Sequence, residues 1–155
     1  MDNYYSFLLE GKKKSMEAQL APYRCGGDPS SEMVGPYVLD QKTVNDLIGK
    51  QKYGWYWLGR TFDANVPQVN YVGRSDTDLA ERILKPREHK YRFFWYRITR
   101  TVRDAFEGEC RDWHAWREKG CKLDNDIHPD EPDDHRYPCP IEGCDEQRGR
   151  WVKAE

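Results

Sequence analysis

Tyr53-Gly54-Trp55-Tyr56-Trp57-Leu58-Gly59 and, after a polar loop, Val69-Asn70-Tyr71-Val72-Gly73 decide how this chain folds. Both runs are dense in aromatic and β-branched side chains, the types that fit a pleated, half-buried surface. The loop between them carries Asp63, Asn65 and Pro67, residues that turn a chain. The two runs are therefore expected to pair as an antiparallel hairpin. Downstream, Tyr91-Arg92-Phe93-Phe94-Trp95-Tyr96-Arg97-Ile98, ending at Thr99, reads as a third strand. Its aromatic residues are assigned to the core rather than to stacking on bases.

Helices are expected around these strands. Ser75 with Asp78 three residues later has the form of a capping box and opens a short helix through Leu79 and Ile83, which Pro86 must stop. Thr101 with Asp104 starts the longest helix, predicted to run to Lys119 and to end at Gly120. Upstream, Asp40 caps a helix over Gln41 to Lys50, with Val44, Leu47 and Ile48 on one face. The long helix carries an apolar stripe of Val102, Ala105, Phe106, Trp113 and Trp116. Glu109 falls on that same stripe. An ionised carboxylate facing a core costs several kcal/mol unless paired, so Glu109 is expected to have an arginine, a metal or another cation beside it. Gly108, unfavourable in a helix, points to the close approach of another backbone.

At 155 residues the chain is expected to form one unit with appendages. Aromatics at 14% argue against a disordered protein. No run of about 18 apolar residues is present and the start lacks a basic-then-apolar order, so the expected location is intracellular, in cytoplasm or nucleoid, without membrane contact. Five cysteines at irregular spacing fit reduced thiols or a metal site better than a disulfide framework. The net charge of −2 hides an asymmetry. Residues 82–103 hold eight basic groups against Glu88, a net +7, while residues 124–146 hold nine acids against Arg136, a net −8. A polyanion would prefer the first segment; the alternative is that the two segments pair with each other.

The order Gly54-Trp55-Tyr56, Tyr71-Val72-Gly73-Arg74-Ser75, Leu79 to Arg82, and Ala105 to Glu109 resembles the GIY-YIG nuclease domain. That resemblance implies an α+β fold with a small three-stranded antiparallel sheet flanked by helices. Residues 53–125 would be the catalytic core, 1–52 an extension with the helix near 41–50, and 126–155 an acidic, irregular tail packed on the core. It implies a nuclease acting on DNA, with RNA as the other polyanion to consider and a protein partner or homodimer supplying specificity. Carried over residue by residue, it makes Glu109 the ligand of Mg²⁺ or Mn²⁺, Arg82 the phosphate contact, Tyr56 the general base and Tyr71 an orienting group. Gly73, Arg74, His89 and Asn125 would line the substrate.

These residue types suit the reaction. Phosphodiester hydrolysis needs an activated water and neutralisation of charge on the phosphorane and leaving oxygen, which a divalent ion and a guanidinium can divide. Glutamate is the hard oxygen donor magnesium prefers, and arginine offers a fork matched to phosphate. Tyrosine, with a reference pKa near 10, needs a nearby cation to act as a base at neutral pH. One departure is Pro86, which stands where the family often has a histidine; His89 is the expected substitute. The opposing reading is a domain that keeps this fold as a nucleic-acid or protein-binding module without turnover.

After the core, Cys139 and Cys144 flank Pro140 and Gly143, and on the long helix Cys110 and His114 are four apart and share a face. Cys110, His114, Cys139 and Cys144 form a candidate zinc set, with Cys121, His128 and His135 as substitutes and Cys25 unrelated. The alternative is ordinary thiols. Lys12-Lys13-Lys14 reads as a solvated turn.

Overall fold

The computed structural model describes residues 24–29, 32–132 and 137–144. The Lys12-Lys13-Lys14 run, His135 and the acids Asp133, Asp134, Asp145 and Glu146 lie outside the described residues. In chain order the elements are β1 (Val34–Val38), α1 (Gln41–Ile48), β2 (Tyr53–Gly59), β3 (Phe62–Asp63), β4 (Val66–Pro67), β5 (Tyr71–Ser75), α2 (Leu79–Leu84), β6 (Phe93–Thr99) and α3 (Val102–Glu118).

The architecture is α+β, with one antiparallel sheet in the order β1-β6-β2-β5 and a small β3-β4 ribbon. The expected sheet of three strands is corrected to four. β1 comes from the segment read as an extension and pairs with β6 through Val34↔Tyr96, Tyr37↔Phe94 and Val38↔Phe93. It covers backbone groups that β6 would otherwise present as an open edge.

The helices follow their capping signals. The side chain of Asp40 accepts from Thr43 N at the start of α1, and that of Thr101 from Asp104 N at the start of α3. Gly49 and Gly120 close these two helices at φ of 81° and 85°. At α2 the expected cap is displaced: Asp78 is the N-cap and accepts from Glu81 N, while Ser75 Oγ accepts from Thr77 N and Asp78 N in the turn before it. α2 ends at Leu84, ahead of Pro86.

β2 is the central strand and is buried on both faces from Gly54 to Gly59. Tyr56 and Leu58 face α1 and α2, in a core with Val44, Ile48, Leu79, Ala80 and Ile83. Trp57 faces α3, edge-on to Trp116 at 5.1 Å and tilted against Trp95 at 5.7 Å. Trp55 lies on the same side, over Gly108. A Cβ on Gly108 would meet the Trp55 ring at 2.4 Å. The close approach expected at this glycine is thus made by an indole, not by another backbone.

Asp112 was not singled out from the sequence. It is buried on α3 and its Oδ2 accepts from both indoles, Trp55 Nε1 at 2.7 Å and Trp57 Nε1 at 2.9 Å. Large aromatics can be packed this densely because their polar N–H groups find an acceptor.

The thiol expectation is also corrected. Cys25 and Cys121 form a disulfide, Cα–Cα 5.7 Å, joining the N-terminal segment to the residues after α3. Odd cysteine number and irregular spacing concealed it because its partners are 96 residues apart. Two acids of the acidic run pair outside the basic run, Asp124 with Arg60 and Asp126 with Arg117. No helix among the described residues is long and apolar enough to cross a membrane.

Candidate active site and a histidine-cysteine cluster

Strand alternation decides where the candidate residues stand. In β5, Tyr71 and Gly73 share the face of Tyr56, whereas Val72 and Arg74 turn toward α3. Tyr56 and Gly73 are directly opposite across the β2-β5 ladder. The rings of Tyr56 and Tyr71 stack with centroids 6.2 Å apart. A Cβ at residue 73 would lie 2.6 Å from Cζ and the hydroxyl of Tyr56 and 2.9 Å from Cε1 of Tyr71. Gly73 is therefore what lets the two rings meet.

Arg87, which the sequence did not single out, completes this face. Its Nη2 donates to the Tyr56 hydroxyl at 2.7 Å, and its guanidinium sits 5.6 Å from the Tyr56 ring centroid and 5.3 Å from that of Tyr71. Three carbonyls at the end of α2 hold it: Ile83 at 3.0 Å, Lys85 at 2.9 Å and Arg82 at 2.7 Å. Helix termini leave such carbonyls without intrahelical partners, and the five donors of arginine suit them. Pro86, standing where a histidine was looked for, was the signal: the helix stops there and the next residue can cap it. His89, the expected substitute, is instead exposed and edge-on to Tyr91 at 6.3 Å.

On the α3 side, Glu109 is buried and has the predicted cation beside it. Its partner is Arg74, whose Nη1 donates to Oε1 at 2.7 Å. The same guanidinium also donates to both oxygens of Asp76, at 2.8 and 3.2 Å, and lies 5.1 Å from the Phe106 ring centroid. Arg82 is exposed, in an open depression with Asn45, Lys50, Asp78, Glu81 and Lys85. Arg74, read as a substrate contact, is thus the arginine beside Glu109.

Electrostatics tie the two faces together around the β5 edge. Burial raises the pKa of Tyr56 well above that of a free phenol; Arg87 and Arg82 pull it down, and Tyr71 and Glu109 push it up. Of these groups, Arg87 alone hydrogen-bonds the hydroxyl. Burial outweighs the cations, so Tyr56 keeps its proton, and its expected role as a base is not met by these protein groups alone. Burial likewise raises Glu109 to about 7, against the pull of Arg74. Only Arg74 hydrogen-bonds this carboxylate among the described residues, through Oε1.

Asn125 has a structural use. Its side chain accepts from Val72 N at 3.2 Å and donates to Val72 O at 2.6 Å, substituting for a neighbouring strand on the outer edge of β5. Its own carbonyl accepts from Trp113 Nε1 at 3.0 Å.

A second cluster lies further along α3. Ligand atoms of His114, His128, Cys139 and Cys144 all fall within 4.8 Å of one another. His128, held in reserve by the sequence reading, replaces Cys110, which is buried in the same small apolar cluster as Cys139.

Comparison with protein-family models, with curated proteins and with solved structures finds no match to this chain.

Proposed function

We propose that the chain is a metal-dependent endonuclease of the GIY-YIG type that hydrolyses phosphodiester bonds in DNA. The observation that carries this reading is the geometry at Tyr56: Arg87 Nη2 donates to its buried hydroxyl at 2.7 Å, Tyr71 stacks beside it, and Gly73 leaves room for both rings. Aromatic packing alone needs no guanidinium on that hydroxyl.

The donor set fits a hard divalent cation. Glu109 keeps one carboxylate oxygen without a hydrogen bond among the described residues, Asp76 acts electrostatically on it, and no thiolate or imidazole is bonded to it. Oxygen donors of this kind suit Mg²⁺ or Mn²⁺, which retain several waters. Once bound, the ion would lower the pKa of a water and neutralise charge on the transferred phosphate. The chain's own groups do the rest. Arg82, exposed and forked, receives the phosphate. Arg87 fixes the Tyr56 hydroxyl, and Tyr71 stacked beside it orients the attacking water. Tyr56 becomes a base only when further positive charge offsets its burial.

The Arg74-Glu109 pair favours one rival: a module that keeps the fold and binds nucleic acid without cutting it. A carboxylate already neutralised by an arginine has less call for a metal. As a nuclease on cellular DNA the protein would act in cytoplasm or nucleoid, where the Cys25-Cys121 bridge must persist against a reducing pool. Supercoiled plasmid incubated with the intact protein and Mg²⁺ or Mn²⁺ distinguishes the two. Nicking that a chelator stops is the expected result. Retention of DNA on a gel with no nicking under either metal would favour the module.

A further inference from the structure

We propose that His114, His128, Cys139 and Cys144 bind a structural zinc ion that fastens the loop at His128 and residues 137–144 onto α3. Zinc takes sulfur at about 2.3 Å and imidazole nitrogen at about 2.0–2.1 Å, so a tetrahedral site separates a sulfur and a nitrogen ligand by about 3.6 Å. Cys139 Sγ lies 3.5 Å from His114 Nε2, and Cys144 Sγ 3.4 Å from His128 Nε2. Those are the edges such a tetrahedron requires.

The surroundings are those of a ligand set. His128 Nδ1 lies 2.9 Å from the carbonyl of Pro129, which as an acceptor holds the proton on Nδ1 and leaves the Nε2 lone pair for the ion. Cys139 is fully buried in the small cluster with Cys110 and Phe106. The chain returns to the cluster through a turn in which Cys144 N donates to Ile141 O at 3.2 Å, with Gly143 at φ 81°. His114 comes from α3, His128 from the loop after it, and the cysteines from residues 137–144, which contain neither helix nor strand. The apolar cluster there is small, with Phe106, Cys110 and Cys139 at its centre. Little buried area holds this piece, and a metal is the staple such segments use. Two thiolates and two neutral imidazoles also cancel the charge of the ion.

The test is metal analysis of the intact protein purified without added metal, together with the visible spectrum after exchange with Co²⁺. About one zinc per chain and a tetrahedral, thiolate-ligated cobalt spectrum are expected. Cys139→Ser, Cys144→Ser and His128→Ala should each lose the metal, while Cys110→Ser and Glu109→Gln should keep it. No zinc and no tetrahedral cobalt spectrum in the intact protein would overturn the proposal, without reference to any variant's folding. Loss of zinc in Cys110→Ser with retention in His128→Ala would overturn this ligand set. Because Glu109→Gln retains zinc whether or not it cleaves DNA, the outcome is independent of the nuclease reading.

Discussion

Arg74 Nη1 donates to Glu109 Oε1 at 2.7 Å, and both side chains are about nine-tenths buried, each 10% exposed. Removing one member of a buried pair leaves an uncompensated charge and costs about 3–5 kcal/mol. Arg74→Ala is therefore expected to lower the urea midpoint strongly. Arg82→Ala, at an exposed site, should leave it nearly unchanged. Equal effects on the two midpoints would contradict the pairing.

Glu109 also predicts a pH dependence. Its pKa is raised by burial to about 7 from 4.5. An acid with a higher pKa in the folded state contributes stability fully below the unfolded value, and this is lost as pH rises through the folded one. The contribution should fade between about pH 4.5 and 7. Denaturant midpoints of metal-free protein at pH 5 and pH 8 should differ less in Glu109→Gln than in the intact chain. The same pH slope in both would remove this assignment.

Asp112 accepts from both Trp55 and Trp57. Asp112→Ala strands two buried N–H groups, each worth about 1–3 kcal/mol. A fall in stability of several kcal/mol and a red-edge change in tryptophan fluorescence are expected; a neutral effect would mean the indoles find other acceptors. Gly108→Ala should cost about 1–3 kcal/mol by overpacking, because its new methyl meets the Trp55 ring.

The Cys25-Cys121 bridge can be counted directly. Alkylation of denatured, unreduced protein should label three of the five cysteines, Cys110, Cys139 and Cys144, and reduction should raise the number to five. Five labels before reduction would show the bridge absent. Since its partners are 96 residues apart, its loss should cost about 4–5 kcal/mol in the chain-entropy account.

Much of this fold was legible because its signals are local. Asp40 and Thr101 cap the helices expected of them, and the aromatic runs at Trp55 and Phe94 became the central strands. The inward position of Glu109 followed from helical periodicity alone. What escaped depends on residues distant in sequence. β1 needed the open edge of β6, the disulfide needed two segments brought together from opposite ends of the domain, and the double acceptance by Asp112 needed the register of β2 against α3. Arg87 reaches Tyr56 because it caps the end of α2 right after Pro86, a placement that residue type alone does not reveal. His128 entered the histidine-cysteine cluster in place of Cys110 because the loop after α3 doubles back, while the shared helix face of Cys110 and His114 suggested otherwise.

In the proposed nuclease, Glu109 would hold the divalent ion for phosphodiester cleavage. The most direct measurement is the rate of plasmid nicking in Mg²⁺ by the intact protein and by Glu109→Gln, with melting temperature and DNA binding followed in parallel. The amide keeps the shape but loses the charge that binds the metal, so nicking should fall by about 100-fold or more while DNA binding persists. A nicking rate unchanged by Glu109→Gln would contradict the account.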